Sequence, residues 1–322
     1  MIARLAAAAC ALALSFCACA QSGKVYRIGM LEVTPEAENL PNLKAFRQGM
    51  REAGYVERQD FVLDYRSADG QQSRLSQLAA ELVRARPDVI LTRTTAAALA
   101  AMKAGSIPVV MTSSADPIAY GVVRSLSHPG GNVTGLSTAI GEVAGKRLQV
   151  LKELAPQARR VAAPLNLANP TAATERRQIE SAGKSLGLQV IILDVRDRAG
   201  LSRAFDAAAQ QHADALLINA EAVMVANKQA IIEFAAKHAL PAVYASREYV
   251  DAGGLVAYGV DYSHLYYRAA SYVDKILKGA QPGDLPIEKP TKLQLIINVR
   301  SATALGVGIP SQLLLRADEL VR

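Results

Sequence analysis

The sequence predicts an α/β protein with two lobes of the same topology, each a parallel sheet flanked by helices. Three observations support this fold class. The 322 residues exceed what one typical core accommodates and suit two domains. Short β-branched runs alternate with longer helical patterns, as in βαβ units. The alternation restarts near residue 160 with closely similar spacing from first to second strand.

The first half sets out the pattern in order. Leu43, Phe46, Met50 and Ala53 fall on one helical face, and Gly54 is placed to end that helix. The Pro129–Gly135 stretch is the strongest turn signal in the chain, and we interpret it as a turn leading into the first crossover between lobes. Strands are predicted at 26–31, 61–65, 88–92 and 107–111, and helices at 43–53, 75–83 and 96–103.

The second half repeats this order. Asn169 and Pro170 offer an N-cap followed by proline at the first helical position. After this half come a helix, a strand and an amphipathic segment, so the chain crosses back between the lobes and forms a multi-crossover hinge. Strands are predicted at 160–165, 188–193, 214–219, 241–244 and 292–298, helices at 170–186, 201–211, 228–238 and 264–277, and the amphipathic segment at 313–320.

The N-terminus has the form of a secretory signal peptide. A positive residue, Arg4, precedes an apolar stretch of about a dozen residues, and Ala18-Cys19-Ala20 matches a signal peptidase site. We therefore expect export to the periplasm and cleavage after Ala20. Cys10, Cys17 and Cys19 all lie in this leader, so the mature chain would hold no cysteine. A lipid-anchored form at Cys19 is the alternative.

The remaining composition excludes several function classes. The net charge of +7 comes from scattered Lys and Arg rather than from runs, so we expect no nucleic-acid partner. The four histidines show no metal-ligand spacing, and no nucleophile-elbow motif is present. We therefore expect no catalytic residues, no metal and no cofactor.

The candidate site follows from the predicted topology. In open parallel sheets, ligands bind outside the carboxyl ends of the strands, and two facing lobes bring those ends into one cleft. The loops there are rich in Ser, Thr, Asn and acids, although such residues are also ordinary caps and turn formers. Hydroxyls and helix N-termini suit a carboxylate, as does Arg247, whereas acids suit an ammonium. The candidate ligand-binding residues are Thr34, Thr94, Thr95, Ser113, Ser114, Asp116, Asn166, Asn169, Asn219, Glu221, Ser246, Arg247, Glu248 and Tyr258.

An ordered set of segments resembles one known family. The segments are 46–57, 75–84, 116–117, 129–135, 146–148, 169–170, 247–254, 268–270 and 313–319. Together they resemble the ABC-transporter substrate-binding proteins often labelled tryptophan/tyrosine transport binding proteins. The departures are Asn166-Leu167-Ala168-Asn169 in place of a common Asn-Pro, Glu221 where Asp is frequent, and the absence of Trp, which leaves tyrosine for stacking.

The resemblance implies a type I periplasmic-binding fold with two Rossmann-like lobes and three crossovers. It also implies a receptor that closes its hinge on a small polar solute, with an aromatic amino acid favoured, and delivers it to an ABC permease and its ATPase. We expect this receptor to be a monomer. A periplasmic sensor subunit with the same fold is the alternative. The expected division is signal peptide 1–20, lobe 1 at 21–137 plus about 259–283, and lobe 2 at 138–258 plus about 284–322.

Overall fold

The computed structural model describes residues 24–138, 140–169, 171–290 and 292–322. The predicted leader, its cleavage site and Cys19 lie outside the described residues. Within them, two sheets with helices on their faces form two lobes, which confirms the predicted fold class.

Lobe 1 contains a five-stranded sheet in the order β2-β1-β3-β4-β5, and its neighbouring strands are all parallel. Two central strands are buried along their whole length, and each begins with an apolar run of three residues. The strands are β1 Tyr26–Glu32, β2 Phe61–Ser67, β3 Val89–Arg93, β4 Val109–Ser114 and β5 Val133–Ser137, and the helices are α1 Glu36–Glu52, α2 Leu75–Arg84 and α3 Thr95–Ala104.

Lobe 2 contains a seven-stranded sheet in the order β12-β11-β10-β9-β8-β6-β7, with only the β10–β11 pair antiparallel. Its strands are β6 Arg160–Leu165, β7 Gln189–Asp194, β8 Ala215–Ile218, β9 Ala242–Tyr244, β10 Val256–Val260, β11 Leu293–Asn298 and β12 Glu319–Val321. Its helices are α4 Ile140–Leu154, α5 Ala172–Ser185, α6 Arg198–Gln210, α7 Ala222–Ala226, α8 Lys228–Lys237, α9 Arg247–Asp251, α11 Val299–Leu305 and α12 Ser311–Arg316.

The chain passes between the sheets after β5, after β10 and before β11. The helix α10, Tyr262–Leu277, follows a strand of the second sheet yet packs on α1 and on the strands of the first. The two helices approach so closely at Gly49 that a Cβ there would lie 2.6 Å from the carbonyl oxygen of Tyr267. Between α10 and β11, Glu288 forms an isolated parallel β-bridge with Leu136 of β5.

Two local predictions are wrong. In the stretch Pro129–Gly135, which we predicted to be a turn, only Gly130 and Gly131 form the turn. Residues from Val133 onward form the edge strand β5. Gly135 is needed inside that strand, where φ is +126° and a Cβ would lie 2.2 Å from the Met111 carbonyl oxygen. Asn169 is not a helix cap, because α5 begins at Ala172 and the Asn169 side chain binds Glu221 instead.

Each lobe has its own core. In lobe 1, Phe46 and Phe61 are buried against the sheet together with Tyr266 of α10. In lobe 2, Leu148 and Leu151 of α4 pack on the sheet face. Among the described residues, no helix combines the length and apolar character needed to cross a membrane.

Candidate functional site

The carboxyl ends of strands from both sheets meet in a pocket, which we call the interlobe pocket. Lobe 1 contributes the residues that follow β3 and β4, and lobe 2 contributes those that follow β6 and β8. Tyr262, the first residue of α10, lines the pocket at the hinge. The strand-end rule therefore predicts where this pocket lies. The side chains that line the pocket include Arg93, Thr94, Thr95, Ser113, Tyr120, Asn169, Thr171, Glu175, Glu221 and Tyr262.

The lobe 1 wall presents the N-terminus of α3. Thr94 adopts a left-handed conformation with φ of +78°, unusual for a β-branched residue, and its hydroxyl accepts the backbone N–H of Ala97 at 3.3 Å. The Thr95 hydroxyl contacts that of Ser114 at 2.8 Å and accepts the Ala115 N–H at 3.0 Å. The first-turn N–H groups of Thr95 and Ala96 have no acceptor within the helix. This wall is therefore suited to an anion such as a carboxylate.

The lobe 2 wall presents a carboxylate. Glu221 accepts hydrogen bonds from the side-chain amide of Asn169 and, at 3.2 Å, from the backbone N–H of Asn166. Behind it, the Asn219 amide accepts the Glu221 N–H at 3.2 Å and donates to Glu175 at 3.2 Å. These bonds fix Glu221 in the pocket wall opposite the α3 N-terminus.

Burial and the neighbouring carboxylate of Glu175 raise the pKa of Glu221 from 4.5 to about 8, with the Asn166 N–H opposing the shift. Burial also raises the pKa of Glu175, opposed by Arg147, whose Nη1 lies 3.9 Å from its carboxylate. At neutral pH, Glu221 therefore binds a proton that a cationic ligand would displace.

The lobes also contact each other directly. Arg93, at the end of β3, donates to Glu248 of α9 at 2.8 Å, and its guanidinium lies 4.7 Å from the ring centre of Tyr262. Arg93 is 4% exposed, so this ion pair is shielded from water. Lys228 pairs with Glu38 across the cleft, and a Cβ on Gly70 would touch Ala226 at 3.3 Å. The structure is therefore a closed arrangement of the lobes.

A buried carboxyl group lies beneath Arg93. Glu32 is 0% exposed, and it accepts hydrogen bonds from the Tyr266 hydroxyl and from the Asn39 amide at 3.3 Å. Burial raises the pKa of Glu32 from 4.5 to about 7, opposed by the charge of Arg93 and the Tyr266 hydrogen bond and increased by the charge of Glu248.

These shifts predict how stability depends on pH. Between pH 4.5 and about 8 the folded state holds protons on Glu32 and Glu221 that the unfolded state has released, so stability falls as pH rises through this window. We expect the melting temperature of the ligand-free protein to drop by several degrees from pH 5 to pH 8. Differential scanning calorimetry measures this. Glu32→Gln should flatten the slope, whereas Glu81→Gln, which changes only a surface hydrogen bond with Gln77, should leave it intact. A slope unchanged in Glu32→Gln would contradict the assignment.

A second cavity, the hinge-side cavity, shares Tyr262 with the interlobe pocket. The structure places the predicted residues Thr34, Ser246, Arg247 and Glu248 here. The guanidinium of Arg247 already forms a bidentate pair with Glu319, at 2.6 and 2.7 Å, so it is not open to a ligand carboxylate.

The other predicted residues divide into two groups. Thr94, Thr95, Ser113, Asn169 and Glu221 come together in the interlobe pocket. The rest support it or lie away from it: Ser114 and Asn219 stand behind the two walls, Asn166 binds Glu221 through its backbone, Asp116 caps the Ala119 N–H at 3.0 Å, and Tyr258 packs against the lobe 2 core.

Sequence reasoning missed Arg93, Thr171, Glu175 and Tyr262 as site residues. Arg93 and Tyr262 each lie at a junction that the strand order identifies, the end of β3 and the end of the second crossover. Glu175 gave no comparable signal, because an acid in the first turn of a helix is ordinary. In the described ranges, no group of three or more His, Cys, Asp or Glu is arranged to hold a metal ion.

The family model described as "ABC transporter substrate binding protein" matches residues 37–321. The chain belongs to this family. Family members are solute-binding receptors of ABC transporters. They bind their solutes outside the cytoplasm and work with a permease. The predicted family and the type I periplasmic-binding fold are both confirmed.

Among the relatives of this substrate-binding protein is a tyrosine-binding protein of Clostridioides difficile strain R20291, 25% identical over 287 residues that cover 89% of this chain and 82% of the relative. A conserved domain protein from Vibrio cholerae superimposes with a TM-score of 0.85 at 25% identity, covering 92% of this chain and all of that one. An ABC domain from Streptococcus pneumoniae in complex with L-Trp has the same TM-score and coverage at 24% identity.

Proposed function

We propose that this substrate-binding protein captures a free amino acid with an aromatic side chain in the periplasm and closes its lobes around it. The observation that carries the proposal is the opposition, within one pocket, of the α3 N-terminus and the carboxylate of Glu221. The first complements a carboxylate and the second an ammonium, which are the two charges that every free α-amino acid carries.

The aromatic preference is supported by two tyrosines. Tyr120 of lobe 1 and Tyr262 at the hinge both line the pocket, and burial raises the pKa of Tyr120 to about 12, so its ring stays neutral. Tyrosine rings offer flat apolar faces on which an aromatic side chain packs favourably. The tyrosine-binding and L-Trp-bound relatives support the same ligand class.

Hinge closure follows from where the two charges are bound. The α3 N-terminus belongs to lobe 1 and Glu221 to lobe 2, so a zwitterion can satisfy both only when the lobes are together. A ligand that binds the closed state more tightly shifts the lobes toward it. The permease would then recognise the paired lobe surfaces.

The test is the melting temperature of the purified protein against tyrosine, phenylalanine, tryptophan, leucine, succinate and glucose. Ligand at a thousand times its dissociation constant stabilises by about 4 kcal/mol, which should raise the midpoint by several degrees. We expect a shift with the aromatic amino acids and none with succinate or glucose. A shift with leucine alone would reject the aromatic preference, and a shift with glucose alone would reject the amino acid.

Closure is measured separately by small-angle scattering of the same samples. We expect the radius of gyration to decrease, or the distribution of conformations to narrow, when the stabilising amino acid is added. A scattering profile that is identical with and without a ligand that raises the melting temperature would argue against hinge closure while leaving the binding assignment in place.

A further inference from the structure

The hinge-side cavity is formed by both lobes and by the second crossover. Lobe 1 contributes Asn42 and Pro41 of α1, lobe 2 contributes Ser246 and Ala252, and the crossover contributes Asp261. Because each wall belongs to a different body, the cavity exists only while the lobes are closed. The Arg93–Glu248 ion pair has one member in each lining, so it stands between this cavity and the interlobe pocket.

Two polar atoms in this region lack a partner among the described residues. The Ser246 hydroxyl belongs to a side chain that is 1% exposed, and the second carboxylate oxygen of Glu248 is also buried without a hydrogen bond. Buried polar groups of this kind carry a desolvation cost unless a partner is supplied. The Glu248 oxygen can only accept a hydrogen bond and the Ser246 hydroxyl can accept or donate one, so a donor is the partner that suits both atoms.

The cations in the lining are already engaged. Lys228 pairs with Glu38, and Arg247 pairs with Glu319 and Asp251. The lining carries two cations, Lys228 and Arg247, against four acids, Glu38, Glu248, Asp251 and Asp261. The acids are also engaged, but Glu248 keeps one buried carboxylate oxygen without a hydrogen bond. The electrostatic balance favours a positively charged ligand and disfavours an anion.

Much of the remaining lining is apolar. Pro41, Val225, Ala252 and Val260 contribute aliphatic surface, and Tyr262 contributes a ring. A cavity with a largely apolar wall and a few polar acceptors holds a small organic molecule rather than a hydrated ion.

We propose that the hinge-side cavity is a second ligand site, which takes a primary ammonium group carried on a small apolar body and has no need of a carboxylate. The ammonium lies against Ser246 and Glu248, and the apolar body lies against Pro41 of lobe 1, Ala252 of lobe 2 and Tyr262 of the crossover. An occupant touches both lobes and the crossover, so it favours the closed state independently of the amino acid in the interlobe pocket.

The probe is 2-phenylethylammonium, titrated calorimetrically into the purified protein at pH 7, with 3-phenylpropionate as the matched anion. We expect the amine to bind and the anion not to bind. Ala252→Phe, which fills the cavity, should weaken amine binding at least about tenfold, whereas Glu221→Gln should change it by less than about twofold. Ser246→Ala, which removes the unpaired hydroxyl, should weaken it about tenfold.

Each result decides the proposal. Absence of amine binding overturns it, as does equal binding of the anion. Amine binding that survives Ala252→Phe, or that is lost in Glu221→Gln, places the amine elsewhere and overturns it too. If Ala252→Phe does not fold, Ser246→Ala decides, and unchanged affinity there rejects the site. The amine titrations require no amino acid to bind, so failure of the proposed function and failure of this second site are distinguishable.

Discussion

Replacing Glu221 by Gln should weaken the binding of the aromatic amino acid ten- to a hundredfold. The substitution keeps the shape of the side chain but removes the charge that faces the ligand ammonium, and a hydrogen bond to a charged group contributes about 1.5–3 kcal/mol. Isothermal titration calorimetry with tyrosine measures the change. The matched control is Glu233→Gln on α8, whose carboxylate accepts only an exposed glutamine amide at 3.0 Å and should leave the affinity unchanged.

The same residue should make affinity depend on pH. The pKa of Glu221 is about 8, so the ammonium of the ligand must displace a proton from its carboxyl group. The affinity for the amino acid should therefore rise from pH 6 to pH 8. Titrations in two buffers of different ionisation enthalpy would reveal proton release on binding. Equal affinity in wild type and Glu221→Gln, without proton release in either, would remove Glu221 from the site.

The sequence was sufficient for the fold because the core signals are local. A buried strand such as Val89–Arg93 begins with an apolar run, Val89–Leu91, and the helix faces repeat at helical spacing. The edge strand β5 was missed because its glycines read as a turn, although the backbone at Gly135 needs glycine for the close approach of Met111. A local pattern does not show which neighbouring strand comes that close.

The site was only partly predictable, for a related reason. Glu221 could be found because it directly follows a strand, and position along the chain fixes that location. Arg93 is the last residue of its strand, and an arginine at such a position is typical of the protein surface. Only its partner shows that it belongs to the site. That partner, Glu248, is 155 residues away. Long-range ion pairs of this kind arise from tertiary packing, which propensity and periodicity do not encode.

Breaking the Arg93–Glu248 pair on one side should strongly reduce the free energy of unfolding. Arg93→Met leaves the carboxylates of Glu248 and Glu32 without the cation that faces both, and breaking a buried pair in this way costs about 3–5 kcal/mol. Urea unfolding at pH 7 measures the loss. The matched control is Arg316→Met, whose pair with Glu153 at 2.6 Å is about half exposed and should be worth less than about 1 kcal/mol.

A double-mutant cycle isolates the pair from the arginine's other contacts. Glu248→Gln removes the charge left behind, so the double variant should recover part of the stability that Arg93→Met loses. Because the two residues belong to different lobes, scattering of ligand-free Arg93→Met should also show a larger radius of gyration than wild type. If Arg93→Met costs no more than Arg316→Met and leaves the radius unchanged, the pair does not hold the lobes together. The closed state would then depend on the ligand and on the remaining contacts, Lys228 with Glu38 and Gly70 with Ala226.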